Sequence, residues 1–343
     1  MKPWIPLVLV AFLTQLGCDN WEAERRAMAG PAMNTVASAS RQKPPLRVVY
    51  SDWPSWAALE IAVERGWFRK MGLRVELSRS DYVSSLDAFS SKRVDAITVT
   101  NSDALVMGAA GAKSRMILVI DYSNGNDKIV ARPGIETFKD LKGKRVGLEF
   151  TLAEHLLFLK ACEKNGINSS EIALVNFPTS DTPQALTAGD VAAVGASYPI
   201  ASQALRFVPG AKAVFTSADV PGLIYSALAV SPASLAERRD DWVRFARVWY
   251  WIADFIRDPK THDLGIAIMA SRAGVRFDDY AAPMAGTHLL SLSEAKMRYV
   301  RGRGLDSVYG STSIADDFNV SHKVYRDPQR IDDYIDPRIL ESL

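Results

Sequence analysis

Asp121-Tyr122-Ser123-Asn124-Gly125-Asn126-Asp127 is a polar, turn-forming run set between two apolar ones. An apolar run, Met116 to Ile120, leads into it, and a second, Ile129 to Ala131, leads out toward Pro133-Gly134. Asn-Gly and the neighbouring Asp and Ser form turns, because they tolerate positive φ or bond their own backbone. A buried strand that ends in this many side-chain donors and acceptors points to something bound there. The stretch is read as the floor of a ligand cleft, and the strand after it as the passage into a second lobe. Taken by itself, it also fits an ordinary polar loop between two strands.

Upstream, Leu46 to Tyr50 reads as a strand and Trp56 to Glu64 as a helix, with Pro54 near its start and Gly66 as its stop. Leu73 to Leu77 alternates like a second strand. This is a βαβ unit, which predicts a parallel sheet and places Asp52, Trp53 and Trp56 at a strand's carboxyl end, where open α/β sheets bind ligands. The pattern repeats with a helix within 81–91 and a strand over Val94 to Val99. Thr100-Asn101-Ser102-Asp103 then opens a helix over Ala104 to Ala110, its Asn, Ser and Asp either capping it or offering its start to a ligand. Downstream of Pro133 a second α/β set follows. It has strands at 145–149, 172–175, 191–196 and 213–215 and helices at 152–165 and 182–188. Leu223 to Val230 is long enough to return to the first lobe. Trp242, Phe245, Trp249, Ile252 and Ile256 recur at helical steps, as in a core-packing helix. The tail from Ser307 is expected to wrap the first lobe.

The 343 residues exceed one typical domain. A net charge of +2, with no basic run, gives no case for a nucleic-acid partner. Lys2, an apolar run from Trp4 to Leu13, and Gly17-Cys18 read as a secretory signal; the run is too short to span a membrane. Cys18 after Gly17 resembles the lipidated residue of a bacterial lipoprotein. The expected organisation is a signal over 1–17, a flexible tether over 18–45, a discontinuous first lobe over 46–132 and 226–343, and a second lobe over 133–225. Cys162 is the one other cysteine and reads as a buried thiol. No Cys/His metal spacing is present, and neither metal nor cofactor is expected.

The order of these elements carries a resemblance. Asp52-Trp53-Pro54, Gly66-Trp67-Phe68, Val94-Asp95-Ala96-Ile97, Asn101-Ser102-Asp103, the Asp121–Asp127 stretch, Leu141-Lys142-Gly143-Lys144-Arg145-Val146-Gly147 and Tyr198-Pro199 appear in sequence. Over about Leu46 to Phe255 the set resembles the solute-binding proteins of nitrate/sulfonate/taurine-type ABC importers. The resemblance implies an α/β, two-lobed, periplasmic-binding-protein-like (type II) fold with two crossing strands, closing on a small solute. It implies a permease and its ATPase as partners, a monomer in the periplasm or at the cell surface, and membrane attachment only through lipid on Cys18. Two departures bear on the ligand. Ser197-Tyr198-Pro199 lacks the acid of the family's Trp-Glu-Pro-like turn, and Glu149-Phe150-Thr151-Leu152-Ala153-Glu154-His155 replaces a Gly/Ser-rich helix start that often meets an anion.

The expected binding residues are Asp52, Trp53, Trp56, Asn101, Ser102, Asp103, Asp121, Asn124, Asn126, Asp127, Glu149, Thr151, Glu154, His155 and Tyr198. Cations are nearly absent from this set, and buried carboxylates need a partner charge or several hydrogen bonds. A cationic or zwitterionic amine-type solute would supply one, with Trp53 and Trp56 over its face. The alternative is a sulfonate, taurine or nitrate held by backbone N–H groups, with the acids serving as helix caps. None of the four histidines forms a metal pair, and no Gly-x-Ser-x-Gly elbow occurs. No catalysis is expected. A pyrimidine-synthase-like enzyme on the same fold is the competing class, and a sensor ectodomain a third.

Overall fold

The computed structural model describes residues 43–343. The signal segment, Cys18 and nearly all of the expected tether lie outside the described residues. Two sheets are present among those described. The first contains β1 (Leu46–Tyr50), β2 (Val75–Arg79), β3 (Ala96–Thr100), β4 (Arg115–Ser123), β10 (Tyr225–Val230) and β11 (Thr287–Leu289), in the order β11-β4-β10-β3-β1-β2. The second contains β5 (Lys128–Ala131), β6 (Arg145–Leu148), β7 (Ala173–Asn176), β8 (Ala193–Ala196) and β9 (Lys212–Thr216), in the order β7-β6-β8-β5-β9.

The two orders follow one plan. Each sheet is built on parallel strands, β2-β1-β3 in one and β7-β6-β8 in the other. Each then takes in an antiparallel strand from across the molecule, β10 between β3 and β4, and β5 between β8 and β9. The architecture is therefore α/β and two-lobed, and the chain passes between sheets twice, from β4 to β5 and from β9 to β10. β10 is buried at all six positions, as befits a central strand covered on both faces, and its sequence YSALAV shows little alternation of apolar and polar residues.

Boundaries shift relative to the expectation. Asp121, Tyr122 and Ser123 are the last residues of β4, not loop, because they pair with β10 and β11. Only Asn124–Asp127 connects the sheets. The strand at 128–131 belongs to the second sheet, so the first crossing comes before the expected lobe boundary at 132. β10 lies wholly in the first sheet, and the return passage is the segment before it, 217–224.

The C-terminal third packs on the first sheet. The Arg239–Arg257 helix buries Trp242, Phe245, Trp249, Ile252 and Ile256 on one side. Its first turn holds a buried charge cluster, with Asp241 accepting from Arg238 at 2.5 Å and from Arg244. The Val308–Ser321 helix is fixed through Asn101, whose amide donates to Ser311 Oγ (3.1 Å) and Thr312 Oγ1 (3.2 Å). Beyond it, Ile335 bridges to Met116 beside β4.

Gly222, in the return passage, has φ +81°, and a Cβ there would meet the Leu305 carbonyl. Both features require glycine, because an L side chain adds backbone strain and a steric clash. Gly222→Ala is expected to destabilise the fold by at least about 2 kcal/mol, read as a lower midpoint in denaturant unfolding. A midpoint equal to wild type would mean that the return passage is not held against the Leu305 segment.

Candidate functional site

The carboxyl ends of β1, β3, β6 and β8 face a shared cavity of about 450 Å³ between the sheets. The parallel strands of both sheets direct their ends here, as open α/β sheets do at ligand sites. From the first lobe come Ser51, Asp52, Trp53, Trp56, Asp81, Tyr82, Val83, Thr100, Asp103, Ile224 and Ser226. Glu149, Leu152, Ala153, Glu154, Pro178, Thr179, Ser180, Ser197, Tyr198, Pro199 and Ile200 come from the second, and Asp127 from the first crossing.

One wall is aromatic. The rings of Trp53 and Trp56 lie 6.2 Å apart between centroids, and those of Trp56 and Tyr82 5.7 Å apart. Trp53 is oriented from behind by Asp121, which accepts from its Nε1 at 3.3 Å and from the Ser55 hydroxyl. Burial pushes the Asp121 carboxyl up to about 7 against these bonds. The Nε1 of Trp56 is buried and has no hydrogen-bond partner.

The rest of the lining is acidic. Among the described residues six carboxyl groups reach the cavity, on Asp52, Asp81, Asp103, Asp127, Glu149 and Glu154, and no lysine or arginine does. Four of them are engaged. Asp52 pairs with Arg79 at 2.6 Å, and Asp81 accepts from Ser84 N at the start of the Tyr82–Ser90 helix. Asp103 accepts from Tyr82 Oη (2.6 Å) and Thr100 Oγ1 (2.7 Å), and Glu149 from the N–H and hydroxyl of Thr179 (2.8 and 2.7 Å).

Asp127 and Glu154 differ from these. Both are buried, and Asp127 Oδ2 has no hydrogen-bond partner. Burial pushes Asp127 up to about 6, opposed by the Ser123 hydroxyl and by Lys128. Burial, reinforced by the charge of Asp127, pushes Glu154 up to about 8 despite a hydrogen bond from Ser197. The shifts have a single origin: carboxylates held out of water without a counter-charge favour the neutral form.

Of the expected binding residues, Asp52, Trp53, Trp56, Asp103, Asp127, Glu149, Glu154 and Tyr198 line the cavity. Asn101, Ser102, Asp121, Asn124, Asn126, Thr151 and His155 are not among the lining residues. Asn101 also accepts from Tyr225 N, tying β10 to the Val308–Ser321 helix. Thr100, not the Asn101–Asp103 group, caps the Asn101–Ala109 helix, so Ser102 is buried in its first turn. Asn124 and Asn126 pin the first crossing to the 283–287 segment. Asn124 N donates to Gly286 O at 3.0 Å, and the Asn126 amide donates to Pro283 O and Thr287 Oγ1 at 2.7 and 2.9 Å.

Thr151 occupies a left-handed turn (φ +75°) before the Ala153–Asn165 helix. His155 turns toward the other lobe, between Phe150, stacked at 5.3 Å, and the Phe318 and His322 rings at 5.2 and 5.0 Å. Burial and the neighbouring His322 lower it to about 4, so it is neutral at physiological pH. Tyr82, Thr100, Ser197 and Ser226 line the cavity without having been anticipated. Tyr82 carried a readable signal, an aromatic one residue after the Asp81 cap. Ser197 sits beside the anticipated Tyr198. Ser226 reaches the site by pairing with Thr100 and Asp121 across β10, which only the tertiary register shows.

The family described as NMT1/THI5 like matches residues 53–249. The chain belongs to that family. Its matched region holds the aromatic wall and every cavity carboxyl group named above except Asp52, which stands one residue before it. Among curated relatives of this NMT1/THI5-like protein, "Putative binding protein BAB2_1146" of Brucella abortus (strain 2308) is 27% identical over 180 residues, 51% of the chain and 54% of the relative. The arginine-binding extracellular protein ArtP of Bacillus subtilis (strain 168) is 26% identical over 159 residues, 43% of the chain and 56% of the relative. The chain spans about half the length of these relatives. The fold matches the periplasmic aliphatic sulphonate binding protein SsuA of Escherichia coli with a TM-score of 0.71 at 17% identity, over 86% of the chain and 93% of SsuA. It also matches a DszB mutant in complex with biphenyl-2-sulfinic acid, with a TM-score of 0.63 at 14% identity, over 86% and 98%.

The raised carboxyls have a consequence for stability. Between its ordinary 4.5 and about 8, Glu154 keeps a proton in the folded chain that the unfolded chain has lost. The folded state then binds more protons, so stability falls as pH rises through that window. Asp121 acts in the same sense between 3.8 and about 7. The unfolding temperature of the ligand-free protein is expected to decline between about pH 5 and pH 8, and Glu154→Gln to flatten the decline. A midpoint that rises over that range would contradict the burial of these groups without a cation.

Proposed function

We propose that the chain is the extracytoplasmic solute-binding component of an ABC importer, and that its cleft takes a small cationic or zwitterionic amine-type compound. The observation that carries the ligand class is the lining itself: six carboxyl groups, an aromatic wall and no lysine or arginine. A ligand ammonium or guanidinium supplies the counter-charge that Asp127 and Glu154 lack, and the Trp53–Trp56–Tyr82 wall offers ring faces to it. ArtP, an arginine-binding protein related over part of the chain, agrees with this class. The lobes close on the solute by movement about the two crossings and present it to a permease and its ATPase. The same proposal includes a monomer held at the membrane through lipid on Cys18.

A sulfonate, nitrate or taurine ligand is the second reading, favoured by the likeness in fold to SsuA. An oxyanion would enter this cavity against Asp127 and Glu154, with no lining cation to receive it. A desulfurising activity, suggested by the likeness in fold to DszB, would be favoured by an activated thiol in the cavity. The lining residues include neither cysteine nor histidine, and Cys162 is buried in the Ala153–Asn165 helix with its thiol pushed up to about 11.

Titration calorimetry on dialysed protein tests the reading. Heat is expected from one or more of agmatine, L-arginine and putrescine, and none from taurine, methanesulfonate or nitrate. Asp127→Asn is expected to weaken cation binding by about thirtyfold or more, the usual loss when one partner of a buried charge pair is removed. Heat from the oxyanions alone would overturn the ligand class.

A further inference from the structure

Glu154 and Asp127 approach the cavity from different elements, the Ala153–Asn165 helix and the first crossing. The ionisable groups around them are almost all acidic. Asp103 faces both from the Asn101–Ala109 helix, and Glu149 lies on the second-lobe wall. Asp121 lies behind Trp53, and Tyr82 and Tyr198 flank the cavity. Two cations are near. Arg79 is paired with Asp52. Lys128, on β5 and outside the lining, acts on Asp127. Two polar atoms on the wall stand without partners, Asp127 Oδ2 and Trp56 Nε1, on residues 2% and 3% exposed. A site built this way is incomplete until something arrives. Until then, mutual repulsion among buried carboxylates must be relieved in some other way.

We propose that the cleft takes up its cation in exchange for a proton: the Glu154 carboxyl carries a hydrogen in the ligand-free protein and gives it to water when an ammonium or guanidinium binds. The exchange balances. One O–H bond on Glu154 breaks, the proton leaves for bulk solvent, and the carboxylate takes the ligand's charge in its place. Buried charge in the cleft is thus nearly the same before and after binding. This rests on the cationic-solute reading and extends it to regulation, because affinity then follows pH. Acid loads Glu154 with a proton and disfavours capture, and alkali favours it. The elevated position of Glu154, at about 8, agrees with this, and Asp127, at about 6, adds a second proton only in more acidic solution.

Agmatine is a suitable probe, because its amine and guanidinium both stay charged across this range. Calorimetry at pH 7 in two buffers of different ionisation enthalpy is expected to show about one proton released per agmatine bound, with affinity rising up to about tenfold per pH unit between about pH 6 and pH 8 and levelling above. Infrared spectroscopy of the ligand-free protein at pH 7 is expected to show a protonated-carboxyl C=O component that agmatine removes and that Glu154→Gln lacks, beside a component from Asp121 that both leave in place. Agmatine binding without proton release would overturn the exchange and leave the cationic reading standing. Absence of the Glu154 component at pH 7 would overturn it whatever binds. Binding of taurine but not agmatine would remove the cationic reading, and the exchange with it.

Discussion

Two carboxyl groups held out of water without a cation in contact set the character of this molecule. Removing a carboxylate from water is expensive, and folded chains offset that by pairing it, hydrogen-bonding it or neutralising it. Asp103, Glu149 and Asp52 follow the ordinary routes, with hydroxyl, backbone and arginine partners. Asp127 and Glu154 do so only in part, and they stand where the two sheets face each other. On the proposed reading, a cavity lined this way among the described residues disfavours an anion and favours a ligand that brings positive charge with it.

The fold explains how such a cavity is held. Each sheet contributes parallel strands whose carboxyl ends point inward, and each borrows one antiparallel strand across the crossings. The crossings are short and are anchored differently. Asn124 and Asn126 bind the first to the 283–287 segment, whereas Gly222 brings the second close against Leu305. Asp127 ends the first crossing, so its carboxyl sits where the lobes meet. On the far side of the same helix start, Glu154 faces the cavity while His155 faces Phe318 and His322 of the other lobe. One turn of helix thus carries both a cavity-facing acid and a contact between lobes.

Much of this was legible in the sequence because it is local. Strand-then-turn patterns placed Asp52, Trp53 and Trp56 at the end of β1, and Tyr198 just past the end of β8. What was not legible depended on register and tertiary pairing. Asp121 looked like a loop residue exposed to a ligand. Its pairing in β4 turns it beneath Trp53, so it acts by orienting the indole. Asn101 and Asn126 have the chemistry of ligand contacts but spend their amides on Ser311, Thr312, Pro283 and Thr287, residues far away in sequence. The helix start at Thr100–Asp103 was legible, but not which residue caps it: Thr100 takes that role, which leaves Asp103 to the cavity. The acidity of the cavity was foreshadowed by composition alone, because the loops named as cleft residues held almost no cations.

The most direct test of the central claim is to identify what the protein carries from its own cell. Mass spectrometry of the small molecules released on denaturing protein purified without dialysis would report the natural occupant of the cleft. A nitrogen compound positively charged at neutral pH is expected, at close to one per chain. A sulfonate, nitrate or other anion at that ratio would contradict it.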